Sequence, residues 1–345
     1  METPLVKLPI LTTSSADGPF IDSFQRTHRS LRISVTDRCN IRCQYCMPAG
    51  IVQFLPRNRL LTYEQITMLV QALVPVGITR LRLTGGEPLV RTRLDTLFTM
   101  LSAIPGVESI ALTTNAMLLA EQIDGLYEAG LRDINVSLDT LRDSMFKELT
   151  RRDGLDRVLL GLEAAVKMGL RPKLNTVLLR DLNLEDAVDL VEFALERDLT
   201  IRFIEYMPLD ADGNWDGSQM VSGDELRQRL EKRFGPLCRL PRVDPARPSS
   251  DYSFEKLTGT IGFIDPVSKP FCGSCDRLRV TAEGLMRNCL FGKDEWDLRP
   301  FLQSEPDIEG LVAKVRECVA SKFAAHGIGT AGFVPPERTM HRIGG

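Results

Sequence analysis

The sequence contains no run of about 18 apolar residues, the least that a membrane-spanning helix needs, so no transmembrane segment is expected in its 345 residues. Positive charge is not in excess. The 43 lysines and arginines are outweighed by 46 aspartates and glutamates, for a formal net charge of −3, which removes any general electrostatic case for nucleic acid or an anionic membrane as partner. An anionic ligand would have to be met by local arginines. Histidine is nearly missing: His28, His326 and His341 are the whole supply. No low-complexity tract is present. Residues 1–29 lack the continuous apolar core behind a basic start that marks a secretory signal, and are expected to form an N-terminal extension, either a tail or a short packing arm.

Against these absences stand eight cysteines, six of them in two groups. Cys39, Cys43 and Cys46 follow a Cys-x3-Cys-x2-Cys spacing. Three thiolates around a four-iron cluster, which normally takes four, leave one iron open to a ligand. A zinc knuckle is the alternative, but zinc sites usually close with four ligands in paired spacings, and no partner lies near this triplet. Cys272, Cys275 and Cys289 form a second three-thiol group, Cys-x2-Cys-x13-Cys, with no histidine among them. Here a second open cluster is preferred, and zinc with the distant Cys238 as fourth ligand stays open. Cys238 and Cys318 otherwise read as small packing residues.

The spacing of the first triplet resembles that of the radical S-adenosylmethionine enzymes. So does Gly85-Gly86-Glu87-Pro88, one βα unit further on, which taken alone would be an ordinary turn. The resemblance implies that the three thiolates hold a four-iron cluster whose open iron binds S-adenosylmethionine. It also implies that Tyr45, Gly86, Ser137 and Met207 contact that cofactor, and that Glu87 offers its amino group an acceptor.

From Leu31 to Met207 short β-rich runs alternate with helical patterns, the rhythm of repeated βα units. Strands are expected at Leu31 to Val35, Arg80 to Leu83, Ser109 to Thr113, Asp133 to Ser137, Lys173 to Leu178 and Ile201 to Tyr206. Ile66, Leu69, Val70 and Leu73 share one helical face, and Asn183 with Asp186 is expected to cap a later helix. The expected fold is α/β: a partial (βα)6 TIM-like barrel of the radical enzyme type over residues 30–207. Residues 208–345, broken by Pro236, Pro241, Pro245, Pro248 and Pro266, are expected to cover its open side and carry the second cysteine group.

Two three-cysteine sets at the two ends of a partial barrel, the stretch Phe271 to Arg279 and the terminal Gly344-Gly345 resemble the GTP 3′,8-cyclase family. The likeness covers about Leu31 to Gly345. It implies cyclisation of GTP to (8S)-3′,8-cyclo-7,8-dihydroguanosine 5′-triphosphate, the first step of molybdenum-cofactor biosynthesis, with S-adenosylmethionine and two [4Fe-4S] clusters as cofactors. Arg32, Arg82, Thr113, Lys173, Arg277, Leu278 and Arg279 would bind GTP, and the tail residues Arg342, Gly344 and Gly345 would reach into the cavity. Singly, each cation would be read as a solvated surface residue. Arg32 and Arg82 argue otherwise, because both lie within expected strands, where an unpaired charge is costly. The likeness further implies a reductant as electron donor, and the lack of a signal with the need for reduced clusters makes a cytoplasmic location the expectation. Cyclic pyranopterin monophosphate synthase and a second copy of the chain are its candidate protein partners.

Overall fold

Six parallel strands stand within two residues of their expected positions: β1 Ser30–Ser34, β2 Arg80–Thr84, β3 Ser109–Thr114, β4 Asp133–Ser137, β5 Lys173–Val177 and β6 Thr200–Ile204. They are seen in a computed structural model that describes residues 18–209, 213 and 215–344. The helices following them are α1 Tyr63–Leu73, α2 Leu94–Ser102, α3 Leu119–Glu128, α4 Asp143–Thr150, α5 Leu155–Lys167 and α6 Ala187–Glu196. Thr62 starts α1 with a capping box, its hydroxyl accepting from the Gln65 N–H while the Gln65 side chain accepts from Thr62, which satisfies two otherwise orphan donors. The helix then buries Ile66, Leu69, Val70 and Leu73 as its period demands. No helix among the described residues is long and apolar enough to cross a membrane.

The cap expected from Asn183 and Asp186 does not form. Asn183 instead donates to the carbonyls of Asp139 and Val177 and accepts from the Leu179 N–H, while Asp186 pairs with Arg142. A fully buried amide that satisfies three backbone groups just beyond two strands outweighs an optional helix cap.

The C-terminal residues lengthen the sheet at both edges. After α7 Gly223–Phe234 come β7 Leu237–Arg239, β8 Ser250–Phe254 and β9 Thr260–Ile264, and β9 lies parallel to β6. Then β10 Arg277–Val280 lies parallel to β1, followed by β11 Leu285–Arg287, β12 Trp296–Asp297, α8 Ile308–Ala320 and the short α9 Met340–Ile343. The order is β12-β11-β10-β1-β2-β3-β4-β5-β6-β9-β8-β7, with antiparallel pairing only at its two ends.

Parallel strands covered on both faces usually read as continuous apolar runs, but these alternate. Leu31, Ile33, Leu81, Leu83, Ile134, Val136 and Leu174 join the core beneath the helices. Arg32, Arg82, Asn135, Ser137, Lys173 and Asn175 turn to the other face and line a cavity. A period of two in a parallel sheet therefore signals a polar interior.

Candidate active site

That cavity, of about 410 Å³, is lined by all six grouped cysteines. Chain direction separates the two sets. Cys39, Cys43 and Cys46 follow β1, at its C-terminal end, whereas Cys272 and Cys275 precede β10, whose first residue Arg277 pairs with Ser30 at the start of β1. The cavity thus runs along the strands from one cysteine set to the other.

At the C-terminal strand ends the cysteine loop is held by backbone. The Gly86 N–H donates to Thr36 O and the Glu87 N–H to Arg38 O, both at 2.8 Å. A Cβ on Gly86 would meet Arg38 O at 2.4 Å and Asp37 O at 2.9 Å. The glycine is therefore required for close approach of the cysteine loop itself, a different reason from room for a cofactor. Gly86→Ala is expected to displace that loop and cost about 2 kcal/mol or more, which thermal unfolding checks. The Glu87 carboxylate accepts from the Leu89 N–H at 2.9 Å, the Thr114 hydroxyl at 2.7 Å and the Asn115 N–H at 2.7 Å, so it ties the glycine loop to the end of β3 while it borders the cavity. Burial nevertheless raises its pKa to about 7, against those hydrogen bonds.

Tyr45, Gly86, Ser137 and Met207 all line this end of the cavity. The Tyr45 hydroxyl donates to Asp139 at 2.6 Å, and Asp139 also accepts from the Val177 N–H at 2.8 Å. The sequence places Asp139, in Ser137-Leu138-Asp139, and Asn115, in Thr113-Thr114-Asn115, among the polar strand ends that converge on one cavity, but gives neither a role of its own. The Asn115 amide donates to the Asn40 side chain at 2.8 Å and approaches the Cys39 sulfur at 3.8 Å. Burial, aided by Glu87, pushes Cys39 up to about 12; burial does the same for Cys46 and raises Cys43 well above its ordinary value.

The middle of the cavity is cationic. Arg279, Arg32 and Arg82 stand directly opposite one another on β10, β1 and β2. Like charges so placed repel. Arg82 donates to the Thr113 hydroxyl at 3.2 Å, and Lys173 pairs with Asp133 at 2.6 Å. Burial first, then Arg279, Arg82 and Arg277, lowers the pKa of Arg32 well below its usual value, and burial with Arg277 brings Arg279 down to about 9. Arg202 and Arg247 line the cavity too; sequence reading missed both. The side-chain oxygens of Asn135 and Asn175 and the Nε atoms of Arg202 and Arg277 are buried without a partner, a rare condition that points to a polar ligand.

Leu278 does not belong with its neighbours. Its side chain is fully buried in the core, because a strand sends alternate residues to opposite faces, and Arg277 and Arg279 take the cavity face. The tail also divides. The Gly344 carbonyl accepts from Arg279 at 2.6 Å, with Thr84 and Ser34 close against it. Arg342, instead of turning inward, donates to the Gln53 carbonyl at 2.6 Å. Gly345 lies outside the described residues.

Cys272, Cys275 and Cys289 share the far wall with Phe271. Burial alone would raise the Cys275 pKa, but Arg277 and Lys322 bring it to about 6. No three His, Cys, Asp or Glu side chains among the described residues are gathered around a single-ion position. In chemistry both cysteine sets fit iron–sulfur ligation: three soft thiols, each set bordering one cavity and its members acting on one another electrostatically.

Comparison with known proteins agrees with this geometry. Residues 33–194 match the Radical SAM superfamily and residues 199–328 match Molybdenum Cofactor Synthesis C. A GTP 3′,8-cyclase of Rhodopirellula baltica is 46% identical over 329 residues, covering 94% of this chain and 92% of the relative. One from Rhodococcus opacus is 44% identical, covering 100% and 99%. Molybdenum cofactor biosynthesis protein 1 of Drosophila melanogaster is 41% identical over 90% of this chain and 55% of its own length. Streptococcus suis SuiB bound to S-adenosylmethionine shares the fold at TM-score 0.57 and 14% identity, over 84% of this chain and 68% of that one. By sequence over almost its whole length, and with a radical SAM fold to match, the chain belongs to the GTP 3′,8-cyclase family.

Proposed function

We propose that this protein converts GTP into (8S)-3′,8-cyclo-7,8-dihydroguanosine 5′-triphosphate, the first step of molybdenum-cofactor biosynthesis. The observation that carries the GTP assignment is the row Arg279–Arg32–Arg82 facing into the cavity, an arrangement that needs a polyanion to offset it. Radical SAM membership implies one four-iron cluster and S-adenosylmethionine; Cys39, Cys43 and Cys46 would hold that cluster. When bound it supplies the electron that cleaves the sulfonium of S-adenosylmethionine to a 5′-deoxyadenosyl radical able to take a ribose hydrogen. Tyr45, Gly86, Ser137 and Met207 would hold the cofactor, with Asp139 fixing the Tyr45 ring through its hydroxyl.

Arg32, Arg82, Lys173, Arg277 and Arg279 would neutralise and orient the triphosphate, and Thr113 would add a hydroxyl contact. Cys272, Cys275 and Cys289 would hold a second cluster that anchors the guanine at the other end of the cavity. Orientation decides the product, since a carbon radical removes the nearest hydrogen. Gly344, bonded to Arg279, would close the tail over the bound nucleotide. A reductant as electron donor and a cytoplasmic location belong to this reading, with the downstream synthase and a second copy of the chain as candidate protein partners.

The test is anaerobic reconstitution with iron and sulfide, then dithionite, S-adenosylmethionine and GTP deuterated at C3′. The expected result is 5′-deoxyadenosine carrying one deuterium, together with a nucleotide of normal GTP mass, less the deuterium, that elutes apart from GTP. Deoxyadenosine without deuterium would remove C3′ as the reacting carbon.

A further inference from the structure

Two buried cations have no part in the chemistry above. Lys322, just beyond α8, is 5% exposed. It donates to Asn288 O at 2.6 Å, to Arg277 O at 2.9 Å and to the Cys275 sulfur at 3.7 Å. Arg26, 6% exposed, lies on an N-terminal arm that folds back through an Ile21–Thr27 bridge. It donates to Cys272 O at 2.8 Å, Phe323 O at 2.7 Å and Ala324 O at 3.0 Å. Asp22 fixes the guanidinium at 2.6 Å and also bonds His28 at 3.0 Å.

Together these two side chains reach every segment of the C-terminal cysteine set. Cys272 is held by its own carbonyl, Cys275 by its sulfur and by the carbonyl of Arg277, and Cys289 through the preceding Asn288. Neither Arg26 nor Lys322 is among the residues lining the cavity, so neither is placed to touch substrate. Carbonyls satisfy the donors of a buried ammonium but do not cancel its charge.

We propose that Lys322 and Arg26 are positioning residues for the C-terminal cysteine set, Lys322 supplying the counter-charge to its thiolates and Arg26 locking the Cys272 segment to the N-terminal arm. The inference rests on the reading of that set as iron–sulfur ligands. Three thiolates on a four-iron core carry net negative charge that grows on reduction, so a fixed ammonium donating to one sulfur favours the reduced state. The arm thereby acquires a role: it is the anchor from which one ligand segment is held.

The test uses full-length protein with Cys39, Cys43 and Cys46 all replaced by Ala, so that only the C-terminal set holds a cluster. That cluster is titrated with reductant and followed by electron paramagnetic resonance. Adding Lys322→Met is expected to shift the reduction equilibrium about tenfold toward the oxidised form, about 59 mV for one electron, with iron content retained. Adding Arg26→Met is expected to speed removal of that iron by a chelator several-fold. Retained iron with an unshifted midpoint overturns the role of Lys322, and an unchanged stripping rate overturns that of Arg26. Absence of iron from the parent triple variant overturns instead the two-cluster reading. Should Lys322→Met fail to fold, Lys322→Gln keeps a donor, removes the charge and gives the same readout.

Discussion

Replacing Cys39 by Ala is expected to abolish formation of 5′-deoxyadenosine and to lower reconstituted iron by about four atoms per chain, the content of one cluster. The N-terminal set offers three thiols and no spare, and the other grouped cysteines lie at the opposite end of the strands. Loss of one thiol therefore has no local substitute. Burial keeps these thiols protonated in the iron-free protein, with Cys39 and Cys46 near 12, so ligation must displace their protons, and a set reduced to two thiols has lost part of what favours that exchange. The fold should survive, because Cys39 borders the cavity and packs only against the outside of the core. Cys275→Ala supplies the contrast: deoxyadenosine should still form, while GTP affinity and cyclised product fall. Iron analysis and product quantitation on both variants separate the sets. Normal deoxyadenosine from Cys39→Ala would refute the assignment of the N-terminal thiols, and normal GTP affinity in Cys275→Ala would refute the guanine-anchoring role.

The parts of the fold visible in the sequence were those where local pattern and tertiary demand agree. Strands β1 to β6 alternate with amphipathic helices, and their bounds were legible to within two residues. Strand β10 was not, because four residues reading Arg-Leu-Arg-Val carry two charges that no ordinary parallel strand buries; only a polar cavity makes such a strand possible. β9 follows Gly259 in a segment rich in proline and turn residues, and its pairing with β6 is a contact across about 60 positions that no local signal announces. The two cysteine groups that line the cavity were legible from spacing, but the strand-end rule for barrels directs attention to one end only. Lys173, Asp133 and Arg277 begin their strands, outside the stretch to which that rule points. A period of two already sets the Leu278 side chain on the face opposite Arg277 and Arg279, so only its backbone is left to face a nucleotide. Arg202 and Arg247 carry no motif, and only the assembled cavity reveals them.

Arg32→Met should separate binding from folding. In the nucleotide-free protein Arg32 faces Arg279 on one side and Arg82 on the other, and no carboxylate pairs with it among the described residues. Burial and those arginines hold its pKa well below the usual value. A base whose folded-state pKa lies below its unfolded one destabilises the fold wherever the unfolded chain keeps it protonated, which for arginine includes neutral pH. Methionine retains much of the stem that packs on the sheet and removes the charge. Without nucleotide the variant is expected to unfold at or above the parent's temperature, by about 2 °C for each kcal/mol relieved. With GTP the order reverses. The parent gains about 2.7 kcal/mol when ligand stands at about a hundred times Kd. The variant forfeits one charged contact to phosphate, worth about 1.5–3 kcal/mol, or roughly 10- to 150-fold in affinity. Thermal unfolding with and without GTP, beside a direct binding titration, reads both effects. A variant less stable than the parent without nucleotide, yet unchanged in GTP affinity, would make the arginine row a structural feature and not the phosphate site.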